Sequence, residues 1–569
     1  MSRRWLARPA PGLESACTPG DGPGGLPEAL VRLLARRGFE GGRADSFLRP
    51  GPGDLSPWRE LPGAEEAVRE IAGAIRSGRR ILVWGDYDVD GLTAAVIMHN
   101  AIGAAGGLST VHIPDRMEDG YGMGSRAPGI CRERGAGMLV TVDCGTSSTA
   151  EVDALASAGI GTVITDHHEA SGDMPRAAAL VNPCLHRPGR PWSALSGAGT
   201  AFMVARGLAE AAGSDAGLEE AAALACLGTV CDVVPLFGDN RTISRYGLQN
   251  LRAGASPGMT ALASVAGFDI SETQGSDISF RLGPRLNSCG RVSSPDLALG
   301  LLMSASTGEG YEKARRMEAI NEERKLLDRK VAREALASAP RGRAAGALLL
   351  ASPDWHRGVV GIAASRLASE LGIPVVLASV DREGVARGSA RGVPGLNLCE
   401  VLGSMRDLLL SFGGHAGAAG LSFRAERTDD LAERFAAEVS SRMDAVPDRD
   451  AVMLDGRLEP DEITPGLVEA LSAFEPFGEG NEEPVWITTG ATLSDWGTVG
   501  GGRHARCSFD LAGRRLSAIG FGMGAHQLPP AGPLDIAYCL RMDEFRGRRE
   551  LKLHLRDVRP ARNTGGRPG

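Results

Sequence analysis

From about residue 65 the chain alternates between helix-spaced and continuous apolar stretches. AEEAVREIAGAIRSG (64–78) places its apolar residues three and four apart, which predicts an amphipathic helix. ILVW (81–84) follows as a short run with no polar face, the mark of a strand covered on both sides. LTAAVIMHNAIGAAG (92–106) predicts a buried helix, STVHIP (109–114) and MLVTV (138–142) strands, residues 147–158 a helix, and GTVIT (161–165) a further strand. Strands alternating with helices imply βαβ units and a mostly parallel sheet. Residues 198–231 and 308–339 look helical; the second stretch is dense in charge and reads as a solvated helix bridging two domains. A second α/β pattern begins at AGALLLAS (345–352) and continues through a helix at 358–371, PVVLAS, the strand-like GVARGSAR and a Gly-rich loop, GGHAGAAG. Beyond residue 450, PVWITTGATLSDW, RCSFDLAG, RRLSAIGFG, PLDIAYCLRMDEF and ELKLHLRDV alternate as short β-strands do and predict a small OB-like barrel.

The fold expected is therefore α/β: a parallel-sheet domain, a long helical connector, a smaller α/β domain and a C-terminal OB-like β-barrel. The expected boundaries are an N-terminal arm at 1–64, the first α/β domain at 65–245, the connector at 246–340, the second α/β domain at 341–445, the barrel at 446–560 and a disordered tail at 561–569. A length of 569 residues fits several cores rather than one. The net charge of −8 argues against a protein that coats nucleic acid through bulk charge, but leaves room for a local basic groove. The ten cysteines form no CxxC pair, so neither a zinc ribbon nor a redox motif is expected. No apolar run has transmembrane length and the N-terminus lacks a signal-like segment, so the expected location is cytoplasmic, with no membrane partner.

Chemistry concentrates at strand ends. ILVW runs into Asp86, Asp88 and Asp90; MLVTV runs into Asp143; GTVIT runs into Asp166, His167 and His168. In an open parallel sheet the carboxyl ends of strands face one crevice, so these acids and imidazoles should meet. Such a cluster repels itself unless cations neutralise it, and carboxylates with imidazole suit Mn²⁺ or Mg²⁺. The helical run AAALACLGTVCDVVPL adds Asp232, read as a further ligand. In the barrel, Trp486, Trp496, Phe509 and Phe545 are candidates for stacking on bases or for the core, and Arg546-Gly547-Arg548-Arg549 for a phosphate-binding turn or a solvated loop.

In this order GDYDVDG, VDCG, DHH and CDVVPL resemble the four motifs of the DHH phosphoesterase superfamily. FRLGPRLNSCGRV (280–292), WHRGVVGIAASRL (355–367), ARGSARG (386–392), FGGHAGAAGLSF (412–423) and PFGEGNEEPVW (476–486) are similar to the RecJ family within it. The resemblance implies DHH, DHHA1 and OB domains and an exonuclease that hydrolyses single-stranded DNA from the 5′ end to 5′-mononucleotides, in repair and recombination. It implies two ions, Mn²⁺ or Mg²⁺: Asp88 on one, Asp90, His167 and Asp232 on the other, and Asp143 bridging both. His168 would stabilise charge on the scissile phosphate, with Asp143 the other catalytic position. Arg116, Arg285, Asn287, Ser389, Arg391 and His415 would contact the substrate, with Arg116, Ser389 and Arg391 matching a 5′-phosphate pocket. Single-stranded DNA is the implied partner, and a helicase and a single-strand-binding protein are candidates. Trp84 stands where DHH pyrophosphatases carry a His, which leaves Asp86 available as a substitute ligand or, with Asp166, as an acid that orients the ligands. Alternative readings are a DHH phosphodiesterase of short oligonucleotides or cyclic dinucleotides, and a non-catalytic RecJ-like binding protein.

Overall fold

The computed structural model describes residues 3–8, 25–39, 41–116, 122–170, 172–186, 188–344, 346–443, 451–524, 532–545 and 548–561. They fall into two units, Ser56–Val234 with Gly247–Arg449, and Met1–Leu55 with Pro235–Tyr246 and Asp450–Gly569.

The first of these units holds two α/β lobes. Five parallel strands, β1 (Ile81–Trp84), β2 (Ser109–His112), β3 (Met138–Val142), β4 (Gly161–Thr165) and β5 (Ala179–Val181), lie in the order β2-β1-β3-β4-β5. Every residue of β1 and β3 is buried, as expected for strands with helices on both faces. In register, Trp84 faces His112 and Thr141, while Val142 faces Thr165, so β1, β3 and β4 end side by side. Helix α1 (Val89–Ala104) leaves β1 and is apolar nearly all round, because it packs against both α2 (Gly197–Ala212) and α3 (Leu218–Asp232).

The charged stretch forms helix α4 (Thr307–Gly342), but it is not solvated on all sides. Ala314, Met317, Asn321, Asp328, Val331 and Ala335 are buried, and the helix packs on α5 (Val360–Leu371) of the second lobe. Charge density hides an inward face that small and apolar residues mark only every third or fourth position. In the second lobe, β6 (Ala347–Ser352) and β7 (Val375–Val380) are parallel. β8 (Val385–Arg391) then runs antiparallel between β7 and β10 (Ala418–Arg424), and β9 (Ser411–Gly414) closes the edge. The Gly-rich stretch is therefore a hairpin and not a loop: residues 411–414 and 418–424 pair, and only 415–417 turn between them. No helix among the described residues is long and apolar enough to cross a membrane.

In the other unit, five strands at 486–499, 504–511, 514–520, 534–545 and 548–560 close into a barrel through the pairing of the first with the fourth. Helices Glu28–Arg36 and Gly42–Leu48 supply Leu30, Leu33, Leu34 and Phe47 to the same core as Phe474, Trp486 and Phe509. Trp486 and Phe509 are thus core residues, and Trp496 packs against that core half-buried. Arg546, Gly547 and the tail from 562 lie outside the described residues, as do the side chains of Phe545 and Arg548.

Candidate metal and phosphate site

The three adjacent strand ends bring the acids together as the parallel register requires. Asp88 ends the turn after β1 and caps α1, accepting a hydrogen bond from the Gly91 N–H at 3.1 Å. Within the first turn of α1, buried Asp90 receives the N–H groups of Gly197 (2.6 Å) and Ala198 (3.0 Å), the first amides of α2. Helix-terminal amides favour an anion here. Asp143 follows β3 with a left-handed φ of 60°, a strained conformation for a residue with a Cβ. Val233, just after Asp232, has φ 64°, so two of the acids sit beside or within backbone that relaxed chains avoid. Two glycines make the close packing possible. A Cβ at Gly197 would collide with the Asp143 carboxylate, and one at Gly228 with that of Asp90.

His167 Nε2 lies 3.1 Å from Asp143 Oδ1, 3.6 Å from Asp232 Oδ2 and 3.7 Å from Asp90 Oδ2. Asp90, His167 and Asp232 form one group of potential ligands, Asp86, Asp88 and Asp143 a second, and Asp143, His167 and His168 a third, the donor atoms within each lying within 4.8 Å of one another. Asp86 Oδ1, Asp143 Oδ1 and His167 Nε2 are buried without a hydrogen-bond partner among the described residues. Burial, reinforced by Asp88, pushes Asp86 well above the usual carboxylate range. Burial pushes Asp90 well above it too, with Asp232 and Asp88 adding to the shift, and Asp143 likewise, with Asp90 adding. Burial also raises Asp232 and lowers His167. Oxygen and imidazole donors that are buried, mutually repelling and unpartnered fit divalent cations.

His168 is built differently. Its Nδ1 lies 2.8 Å from Asp166 Oδ1, and the Asp166 oxygens also accept the N–H groups of His167, His168 and Thr146. Burial opposes the charge on His168, but the Asp166 hydrogen bond raises it to about 9. Asp166 falls to about 2: burial would raise it, and His168 outweighs that. The Asp166 contact thus favours the protonated form of His168.

Around this acidic floor stand arginines from both lobes. Arg116 lies over the Tyr87 ring, 5.0 Å from its centroid. Arg391 donates to Ser389 Oγ (2.5 Å) and Ser365 Oγ (2.8 Å). Burial lowers Arg391, Arg291 and Arg357, Arg291 to about 10, and Arg116 is near enough to depress all three further. Arg291 and Arg357 are not among the residues that the sequence singles out, although both lie inside segments that resemble RecJ. Their signal is only the glycine beside each.

Two expected substrate contacts are occupied within the protein. Arg285 forms a bidentate pair with Glu318 of α4 and donates to the Arg281 carbonyl. Asn287 Oδ1 accepts the Val89 N–H at 3.1 Å, which braces the first acidic motif. His415 lies exposed on the β9–β10 turn, 3.9 Å from Glu169.

A parallel α/β lobe ending in a carboxylate–histidine cluster, beside a mixed α/β lobe that presents arginines, defines a DHH-type phosphoesterase. Family models agree: DHH family, N-terminal domain, over residues 80–229, DHHA1 domain over 344–441, and RecJ OB domain over 454–557. The chain is 34% identical to the single-stranded-DNA-specific exonuclease RecJ of Escherichia coli K12, covering 95% of this chain and 97% of that protein. It is 33% identical to the RecJ of Thermus thermophilus, covering 95% of this chain and 76% of that protein. The crystal structure of RecJ in complex with Mn²⁺ from Thermus thermophilus superposes with a TM-score of 0.79 at 30% identity, over 96% of this chain and 78% of that one. A second crystal structure from the same organism is in complex with Mg²⁺. The chain belongs to the RecJ family of single-stranded-DNA-specific exonucleases.

Proposed function

We propose that this protein is a divalent-cation-dependent exonuclease that degrades single-stranded DNA from the 5′ end and releases 5′-mononucleotides, in DNA repair and recombination. The observation that carries the reading is the convergence of Asp86, Asp88, Asp90, Asp143, His167 and Asp232 into overlapping groups of ligand atoms, with Arg116 close enough to act on Asp86 and Arg291 close enough to feel Asp88. Asp88 and Asp143 would hold one cation, with Asp86 at hand, and Asp90, His167, Asp232 and the shared Asp143 a second, Mn²⁺ or Mg²⁺. When bound, the cations supply charge neutralisation on the phosphodiester and a nucleophile at neutral pH.

The protein's own groups do the rest. His168, kept protonated by Asp166, donates to a phosphoryl oxygen and stabilises the charge that grows there. Arg391 and Ser389, with Arg116 and Arg291, hold the terminal 5′-phosphate. The greater charge of that group over an internal diester selects the chain end. The α1 and α2 amides and Asn287 fix the acids in place. The test compares a long single strand, a blunt duplex and a trinucleotide, each with Mn²⁺, Mg²⁺ or EDTA. Rapid loss of the single strand only with cation is expected. Equal degradation of blunt duplex, or full activity in EDTA, would overturn the reading.

A further inference from the structure

Arg116 stands in the loop after β2, outside any regular element. Arg291, Arg357 and Arg391 all lie close enough to repel it. Buried Asp86 is near enough to attract it, yet among the described residues Arg116 makes no hydrogen bond and no ion pair. What it does meet is one aromatic face: its Cζ lies 5.0 Å from the centroid of the Tyr87 ring. A guanidinium over such a face is attracted by the ring quadrupole, and more strongly where water is partly excluded.

The ring itself is fixed. Tyr87 lies in the turn between β1 and α1, and the helix Gly283–Val292 holds that turn at two points. Asn287 Oδ1 accepts the Val89 N–H at 3.1 Å. Gly290 lies directly against Tyr87: a Cβ there would fall 2.6 Å from the Tyr87 carbonyl oxygen and 3.2 Å from the Tyr87 Cβ. The same turn carries Asp86 and Asp88, and Asp88 caps α1 through the Gly91 N–H. One short, braced segment therefore presents carboxylates to the proposed cation site and an aromatic face to a guanidinium.

We propose that Tyr87 is a positioning residue for recognition of the 5′ end: its ring holds Arg116, against the repulsion of the neighbouring arginines, in the pose that receives the terminal phosphate. The proposal rests on the reading of Arg116 as a contact of the 5′-phosphate, and it names what orders that contact. A guanidinium already held in place loses less freedom when the phosphate arrives. The role belongs to the π face and not to the phenolic hydroxyl, which makes no hydrogen bond among the described residues.

The full-length protein in EDTA is titrated into oligo(dT) that carries a fluorophore at its 3′ end and either a phosphate or a hydroxyl at its 5′ end. The Tm of each variant is recorded alongside. Tyr87→Phe should keep the affinity for the phosphorylated strand within about twofold. Tyr87→Leu should weaken it about tenfold. Pentafluorophenylalanine in place of Tyr87 keeps the shape of phenylalanine but reverses its quadrupole, and should weaken it about fivefold relative to Tyr87→Phe. The 5′-hydroxyl strand should shift by less than about twofold in each case. Tyr87→Leu should add nothing to Arg116→Ala, because the ring acts through that side chain. A ring that serves packing alone would not distinguish phenylalanine from its fluorinated analogue. Equal affinities with those two rings, or full additivity with Arg116→Ala, would therefore overturn the proposal. Arg116→Ala without effect on the phosphorylated strand would instead remove the 5′-phosphate contact itself, and the proposal with it.

Discussion

The two lobes of the first unit are unsatisfied in opposite senses. At the ends of β1, β3 and β4, five aspartates and His167 crowd together with buried atoms that lack partners, and burial together with mutual repulsion raises Asp86, Asp90 and Asp143. Across from them, Arg291, Arg357 and Arg391 are lowered by burial and by Arg116, and no carboxylate forms an ion pair with Arg291 or Arg357 among the described residues. Neither arrangement stabilises the fold, since buried charges without partners cost free energy. Cations on one side and a phosphate on the other would satisfy both. By contrast, the pairs Asp166–His168 and Arg285–Glu318 are complete within the protein. The difference separates groups that await a ligand from groups that position them.

The largest expected effect is on the acidic side. Asp143→Ala should lower hydrolysis by about a thousandfold or more, because two ligand groups share this carboxylate. Near-normal kcat in a folded Asp143→Ala protein would remove the shared-ligand assignment. On the basic side, Arg391→Ala and Arg291→Ala should each raise KM for a 5′-phosphorylated strand by about 10–100-fold. A 5′-hydroxyl strand should be affected less. Equal losses on both ends would mean that these arginines serve the backbone and not the terminus.

Acid–base linkage gives an intermediate effect. Asp86, Asp90 and Asp143 have folded pKa values above their unfolded ones, so the stability they contribute is full below about pH 4 and is lost as pH rises through the raised values. His168, raised to about 9, adds a loss in the same direction above its ordinary value. In EDTA the Tm should therefore fall as pH is raised from about 6.5 to about 8, above the range in which the lowered His167 acts in the opposite sense, and Mn²⁺ should restore it most at the upper end. A Mn²⁺ effect on Tm that is the same at both ends would contradict the origin assigned to the strain. The smallest effect on chemistry is expected at Arg285. Arg285→Ala should cost about 1–3 kcal/mol of stability through the half-buried Glu318 left behind, with kcat within about threefold of normal. A large kcat loss at unchanged Tm would return Arg285 to the substrate.

Much of the acidic side is legible in the sequence, because parallel strands place their carboxyl ends together whatever the rest of the chain does. Asp88, Asp90, Asp143 and His167 need only the strand ends, and Asp232 only the end of an apolar helix. The short strand β5 leaves no trace, since three residues carry no period. The hairpin at 411–424 is hidden by glycines, which weaken strand signals while the backbone still pairs. Long-range partners are also out of reach. Nothing near Arg285 announces Glu318, 33 residues away, and nothing near Asn287 announces the Val89 amide, 198 residues away. Exposure cannot be read from residue type, and Trp486 and Phe509, the conspicuous aromatics of the barrel, are core.

The central claim is that cations on the acidic floor and a terminal phosphate on the arginines act on one strand end. It is tested most directly with one single-stranded oligonucleotide, labelled separately at its 5′ and 3′ ends and digested with Mn²⁺ and with EDTA. With Mn²⁺ the 5′ label should appear at once as a mononucleotide while the 3′ label stays on progressively shorter strands, and EDTA should stop both. Early release of a 3′-labelled mononucleotide from strands that keep their 5′ label, or release that persists in EDTA, would contradict the account.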